Sequence, residues 1–351
     1  MTARDPYHGD RSGRIDEDTS DPDKDLWFLP GPVEDEPDFL PPGPRAEPDE
    51  TSLVDDWARA EASCAALLAD VALRFGALED RLCRGPAGWQ HRIALNEGAE
   101  LSWFAGDRVG ADRIAIWLAL RLAGVQEDTE ALARVGWAVR RLSGGPSPEF
   151  DPAAFLDRRD PGVQAPDSEP LADRAAGWVG LMNRAQSLHA LTRACMGYHL
   201  WSLAGLGRLE DRLEAAVTAS RIAGCAGLHG YFAPLAMGGA RGLRASGPPE
   251  RRLALWLKGM AEAIRAAMRH LDDLEVWSSR AEAVMAPLSG RTPPALRSVL
   301  TEWPLVSAPM AESLTGASRA TVQRNLAWME DRGLIREMTG QGRFRMWRAA
   351  L

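Results

Sequence analysis

The sequence predicts an all-α fold: a helical bundle, preceded by a disordered acidic tail and followed by a C-terminal winged helix-turn-helix with a small β-hairpin wing. Three observations predict it. Apolar residues recur at spacings of three and four from residue 53 to about 290, and nothing there alternates with period two for long enough to demand a strand. The last sixty residues carry a succession of helix-capping signals. The first fifty hold nine prolines, and fifteen acidic against five basic side chains fall in residues 1–52, too polar a composition to offset chain entropy by burial. The expected parts are a disordered Pro-rich tail over 1–51, a helical domain over 52–290 and a winged helix-turn-helix over 291–351.

Of the net charge of −8 over 351 residues, the tail carries more than the whole, so the remainder is close to neutral. Trp27, Phe28, Phe39 and Leu40 stand in the tail as incidental hydrophobics or as short docking anchors. Four widely spaced cysteines and a start without an apolar signal region point to a reducing cytoplasm and free thiols. The longest uncharged run, Ile222 to Ala240, is interrupted by five glycines and Pro234 and reads as a buried helix-turn segment, not as a membrane span.

Leu53, Trp57, Ala60, Cys64, Leu67, Val71, Phe75, Leu78 and Leu82 mark one face of a long helix that ends at Gly85-Pro86. Further helices are expected over 90–104, 111–123 and 128–142, then a loop over SGGPSPEFDPAAF, then helices over 171–206 and 209–223. A long helix follows Pro249, with Leu253, Leu257, Met260, Ile264, Met268, Leu271 and Leu274 on one face. This stripe and that of Leu53–Leu82 suit either intramolecular packing or a homodimer.

The C-terminal sixty residues are the most specific. Thr292 with Pro293 opens a helix that stops before Pro304; Ser307 caps a second, and Ser318 a third that ends at Gly333. Ala311 is small where the third helix crosses; Leu314, Val322 and Leu326 form the expected wedge, and Gly316 the turn. Ser318, Arg319, Thr321, Gln323 and Arg324 then occupy the exposed start of the third helix, the part that enters a major groove, where arginine grips guanine and glutamine adenine. Two β-like runs, Ile335–Met338 and Arg343–Trp347, flank Thr339-Gly340-Gln341-Gly342 as a hairpin. Arg343 and Arg345 share one face for phosphate contact, and Phe344 and Met346 pack on the other. Trp328 is expected to cover the domain junction.

REMTGQGRFRMW, preceded by PLVSAPMAESL, resembles the C-terminal helix-turn-helix of an uncharacterised, often plasmid-borne family of helical proteins from rhizobia and other alphaproteobacteria, in which a helical domain of unknown function precedes a DNA-binding domain. The resemblance is strongest from Leu253 to Arg348 and fainter over Ser102–Gly124. The region from Gly144 to Leu171 is shorter than usual, and the acidic tail has no counterpart. What the resemblance implies is a DNA-binding regulator with no assigned reaction.

Enzymatic motifs are absent: no Walker A loop, no Gly-x-Gly-x-x-Gly after a strand, no His-Glu-x-x-His and no Gly-x-Ser-x-Gly. The layout is also similar to that of Fic adenylyltransferases, but their histidine followed by a Gly-Asn-Gly-Arg cradle does not occur. Cys195 with His199 and Cys225 with His229 have zinc-compatible chemistry, yet match no ligand motif and read as core packing. Acidic pairs such as Glu97 with Glu100 read as solvated faces and caps, and Trp103, Trp117, Trp137, Trp178 and Trp201 as core fillers. The expectation is a cytoplasmic transcriptional regulator with neither catalytic residues, metal nor cofactor. It has no membrane partner and binds double-stranded DNA, with the bundle serving dimerisation or the sensing of an effector of unspecified chemistry. The alternative is a degenerate Fic-like protein or a protein-interaction adaptor without DNA-binding activity. The acidic tail is further expected to compete with phosphate for the arginine-rich wing.

Overall fold

A computed structural model describes residues 50–120, 128–157, 170–207, 212–340 and 344–351. The expected disorder of the tail falls on residues 1–51, of which 1–49 lie outside the described residues; Glu50 and Thr51 already belong to the first helix. Helices dominate, and the all-α class holds; the described residues add one three-stranded antiparallel sheet.

The long helix expected from residue 52 is two helices, α1 (Glu50–Ser63) and α2 (Ala65–Arg84), parted at Cys64, whose φ of −101° and ψ of 7° leave the helical region. Beside the break the Ser63 hydroxyl donates back to the Ala60 carbonyl at 2.9 Å. Next come α3 (Gly88–Ala105), α4 (Ala111–Leu120) and α5 (Thr129–Ser143), the last capped by Asp128 accepting from the Glu130 and Ala131 amides. The expected loop holds a short helix, α6 (Pro152–Leu156): Asp151 caps it, Pro152 starts it, and Phe155 and Leu156 are buried. Five residues are too few for a 3.6-residue period to be legible.

The helix expected from 171 to 206 is likewise broken, into α7 (Leu171–Arg184) and α8 (Ala190–Leu200), followed by turns. His189 caps α8 through Nδ1, which accepts from the Leu191 amide at 3.2 Å. α8 is buried nearly all round, as its composition ALTRACMGYHL requires, and packs on α9 (Leu213–Gly224). A 3-10 turn (Gly242–Arg244) leads to α10 (Pro249–Met285), whose 37 residues span about 55 Å at 1.5 Å per residue. The C-terminal elements follow in the order α11 (Thr292–Glu302), β1 (Val306–Ser307), α12 (Ala308–Thr315), α13 (Arg319–Asp331), β2 (Ile335–Glu337) and β3 (Met346–Ala349).

Two apolar cores result. The larger joins α1–α9 to the first two-thirds of α10, from Leu253 to Leu274. The smaller gathers Trp277, Ala281 and Met285 from the end of α10 with α11–α13 and the sheet. α10 is therefore a shared wall, and residues Pro48–Leu351 make one compact unit. Trp178 and Trp201 fill the larger core as expected, in edge contact at 5.4 Å. Trp103 does not: it is 58% exposed, with the Arg108 guanidinium over its ring.

The Gly-rich stretch after α9, exposed at Leu228–Gly230 and buried from Phe232 to Met237, is held by two carboxylates. Glu97, expected on a solvated face, is fully buried: Oε1 accepts from the Leu235 and Ala236 amides at 2.8 and 2.9 Å, and Oε2 from Met237 at 3.0 Å. Glu79, also buried, accepts from the Leu228 and His229 amides. A Cβ at Gly227 would lie 2.0 Å from a Glu79 oxygen, so any side chain there displaces that carboxylate from its present position.

Candidate nucleic-acid interface

Each element of the C-terminal region is seated by a local signal. Ser307 caps α12 by accepting from the Met310 amide, and Gly316, with φ of +66°, ends that helix in the left-handed conformation glycine tolerates. Ser318 then caps α13, its Oγ 3.4 Å from the Thr321 amide and 3.0 Å from the Thr321 hydroxyl. Gly333, with φ of +65°, closes the far end. Thr292 is the first residue of α11 and not its cap; the residue before it, Arg291, makes no side-chain cap bond.

Ala311, Val322, Leu326 and Met329 are wholly buried, which fixes how α13 rotates against α12. Leu314, expected in the same wedge, is 51% exposed. Its place is taken by contributions outside the helix pair, from Leu334, Ile335 and Trp347. With that face inward, Ser318, Arg319, Gln323 and Arg324 are exposed, while Thr321 is half-buried. Thr321 is also committed locally: its carbonyl accepts from the buried Asn325 amide group at 2.8 Å. Arg319 and Arg324 join no ion pair among the described residues, so both charges are available at the surface.

The sheet has the order β1-β3-β2, with Val306 opposite Trp347 and Ile335 opposite Ala349. The two-residue β1 was invisible to periodicity. The hairpin arms are shorter than expected: β2 ends at Glu337, which accepts from the Thr339 and Gly340 amides, and β3 starts only at Met346. Burial pushes the Glu337 pKa up, but the Thr339 hydroxyl, then the Thr339 and Gly340 amides and the Arg345 charge, bring it below its ordinary value. Phe344, expected to pack beside Met346, is 69% exposed with φ of +60°, because it precedes the strand and escapes its alternation. Arg343 lies outside the described residues.

Arg345 is a strut. Its guanidinium donates to both oxygens of Glu330 at 3.0 and 3.2 Å and lies over the Trp347 ring, whose Nε1 donates to the same carboxylate at 3.1 Å. Glu330 thus ties α13 to β3, and no sequence signal marks that pairing across fifteen residues. Trp328 is half-buried beside the smaller core, with the Arg332 guanidinium stacked 3.7 Å from its ring centre.

The two Cys–His pairs have separate environments. Cys195 is buried; His199 stacks on Trp57, and burial, then Arg252 and Arg212, depress its pKa to about 4. Cys225 lies near Glu149, and His229 against Tyr231. No group of three or more potential metal ligands occurs among the described residues, and no helix among them is long and apolar enough to cross a membrane. No protein-family model matches the chain, and no curated protein matches it by sequence.

Proposed function

We propose that residues 291–351 form a winged helix-turn-helix that binds duplex DNA, with α13 as the recognition helix and the β2–β3 hairpin as the wing, and that the protein is a transcriptional regulator. The observation that carries this reading is the orientation of α13. Val322, Leu326 and Met329 are buried, and the opposite side offers Arg319, Gln323 and Arg324, two cations without carboxylate partners among the described residues beside an amide, at a capped helix start. The element order, with β1 joined to the far strand of a hairpin, supports the same reading. So does the resemblance of this segment to the helix-turn-helix of the rhizobial family.

Roles divide by geometry. Arg319, Gln323 and Arg324 are the base-edge candidates; Ser318 and Thr321 hold the helix start and present their hydroxyls to phosphate. Arg345, tied to Glu330, orients the wing and gives the backbone only part of its charge.

The test is duplex binding across a salt series, wild type against an Arg319→Ala, Arg324→Ala double variant. Specific binding that strengthens as salt falls, with the variant losing sequence preference and at least about tenfold in affinity, is the expected result. A folded wild-type protein that fails to bind duplex at low salt overturns the reading.

A further inference from the structure

Side chains of α3 and α10 together line a cavity of about 410 Å³, within the size range of small-molecule sites. On α3, Asn96 and Glu100 lie one turn apart and therefore on one face; on α10, Ala266, Arg269, His270 and Asp273 recur at spacings of three and four. Ala266 and, on α3, Ala99 add little bulk to these faces, which leaves the space open.

The polar side chains of this cavity are uncommitted. Those of Asn96, Glu100, Arg269 and Asp273 take part in no hydrogen bond or ion pair among the described residues. Glu100 is half-buried, and burial alone pushes its carboxyl pKa up. A carboxylate drawn out of water without a donor is costly, and a cationic group would relieve that cost. His270 has a buried Nε2 that likewise lacks a protein hydrogen-bond partner. Burial first, then Arg92, lower the pKa of that ring to about 4 against the pull of Asp273, so the imidazole is neutral and one of its nitrogens accepts. Arg269 and Asp273 are four residues apart on α10, a spacing that places Cβ atoms about 5–6 Å from each other, yet they form no ion pair. The cavity therefore offers two carboxylates and one guanidinium, all unanswered. A simple cation would leave Arg269 unmatched, and a simple anion would meet both carboxylates. A ligand that carries both charges matches all three.

We propose that this cavity binds a small zwitterion of the amino-acid class. Its ammonium donates to Glu100, Asp273 and the open imidazole nitrogen of His270, and its carboxylate accepts from the Arg269 guanidinium and the Asn96 amide. The site lies wholly in the helical region and does not rest on the DNA-binding reading; it gives the bundle a ligand of stated chemistry.

Calorimetric titration of the full-length protein with L-alanine, L-leucine, L-glutamate and L-arginine, which differ in the side chain they carry, tests the site directly. Saturable binding of at least one is expected. The N-acetyl derivative and the amide of the tightest probe each delete one charge, and each should bind about tenfold more weakly or worse, the scale of one charge-assisted hydrogen bond. Glu100→Gln, Asp273→Asn and Arg269→Gln should weaken the unmodified probe by a similar factor. These side chains make no bond in the described fold, so the variants should fold, which thermal melts establish. Ala266→Leu fills the cavity with every charge in place and should abolish binding. Asp173→Asn removes a carboxylate from the exposed start of α7 and should leave binding unchanged; a loss there marks adsorption to acidic surface and overturns the site. No saturable binding of any probe up to about 10 mM, a concentration that nearly fills a site of millimolar Kd, also overturns it. So does equal binding by a folded cavity variant or by either derivative.

Discussion

Glu97 shows how much one buried carboxylate can organise. It satisfies three successive amides of a segment that has no regular structure of its own to satisfy them. Glu97→Gln places an NH₂ donor against an amide donor, and a loss of roughly 1–3 kcal/mol in urea unfolding is expected, the cost of an unsatisfied buried group. Burial outweighs those three bonds and raises the Glu97 pKa to about 7. Its contribution to stability is therefore full below the ordinary glutamate range and is lost as pH rises through about 7. His199 has the opposite sign. Held to about 4 in the folded state, it stays neutral while the unfolded histidine protonates near the usual value, so its contribution is present above about 6.5 and lost as pH falls toward 4. His199→Phe keeps the stacking on Trp57 and removes the titration. The midpoint of acid unfolding should move to lower pH, and an unmoved midpoint would dismiss His199 as a source of acid sensitivity.

At the scale of the element, caps decide where helices begin and close packing decides which way they face. Ser318→Ala removes the α13 cap and should cost about 1 kcal/mol. Its effect on duplex affinity, if α13 is the recognition helix, should exceed that of Ser307→Ala, because only the former loosens the residues that meet bases. Ala311 is fully buried at the α12–α13 crossing, so Ala311→Leu should destabilise by ~1–3 kcal/mol through overpacking. A thermal midpoint equal to that of wild type would mean that the two helices are not in close contact there. Caps and glycines were legible in sequence because they act within four residues. The breaks at Cys64 and at Ala185–His189 were not, since each replaces one turn inside an otherwise continuous apolar stripe.

For the molecule as a whole, the decisive fact is that α10 belongs to both cores. Trp277 Nε1 donates to the Leu334 carbonyl at 2.7 Å, and Arg280 to that of Ala350. From the other side Arg92 caps the end of α11, and the Gly88 amide donates to Glu302. The helical region and the C-terminal region should therefore unfold together. Arg92→Met strips the cap from α11 and leaves buried carbonyls unpaired, at about 2–4 kcal/mol. The calorimetric transition should then split, with the C-terminal core melting first. A single, merely shifted transition would place the coupling in α10 alone.

Local chemistry, carried by the sequence itself, determined the all-α class, most helix positions, the two serine caps and the exposed polar stripe of α13, because each depends on residues within one or two turns. The tertiary structure alone decided that Glu97 is buried, that Arg345 is paired with Glu330, that Leu314 and Phe344 remain exposed, and that Glu100, Arg269, His270 and Asp273 line one cavity. Glu100 belongs to α3 and the other three to α10, far along the chain. Periodicity reports which face of a helix is apolar, and only packing determines what that face, or the polar one, meets.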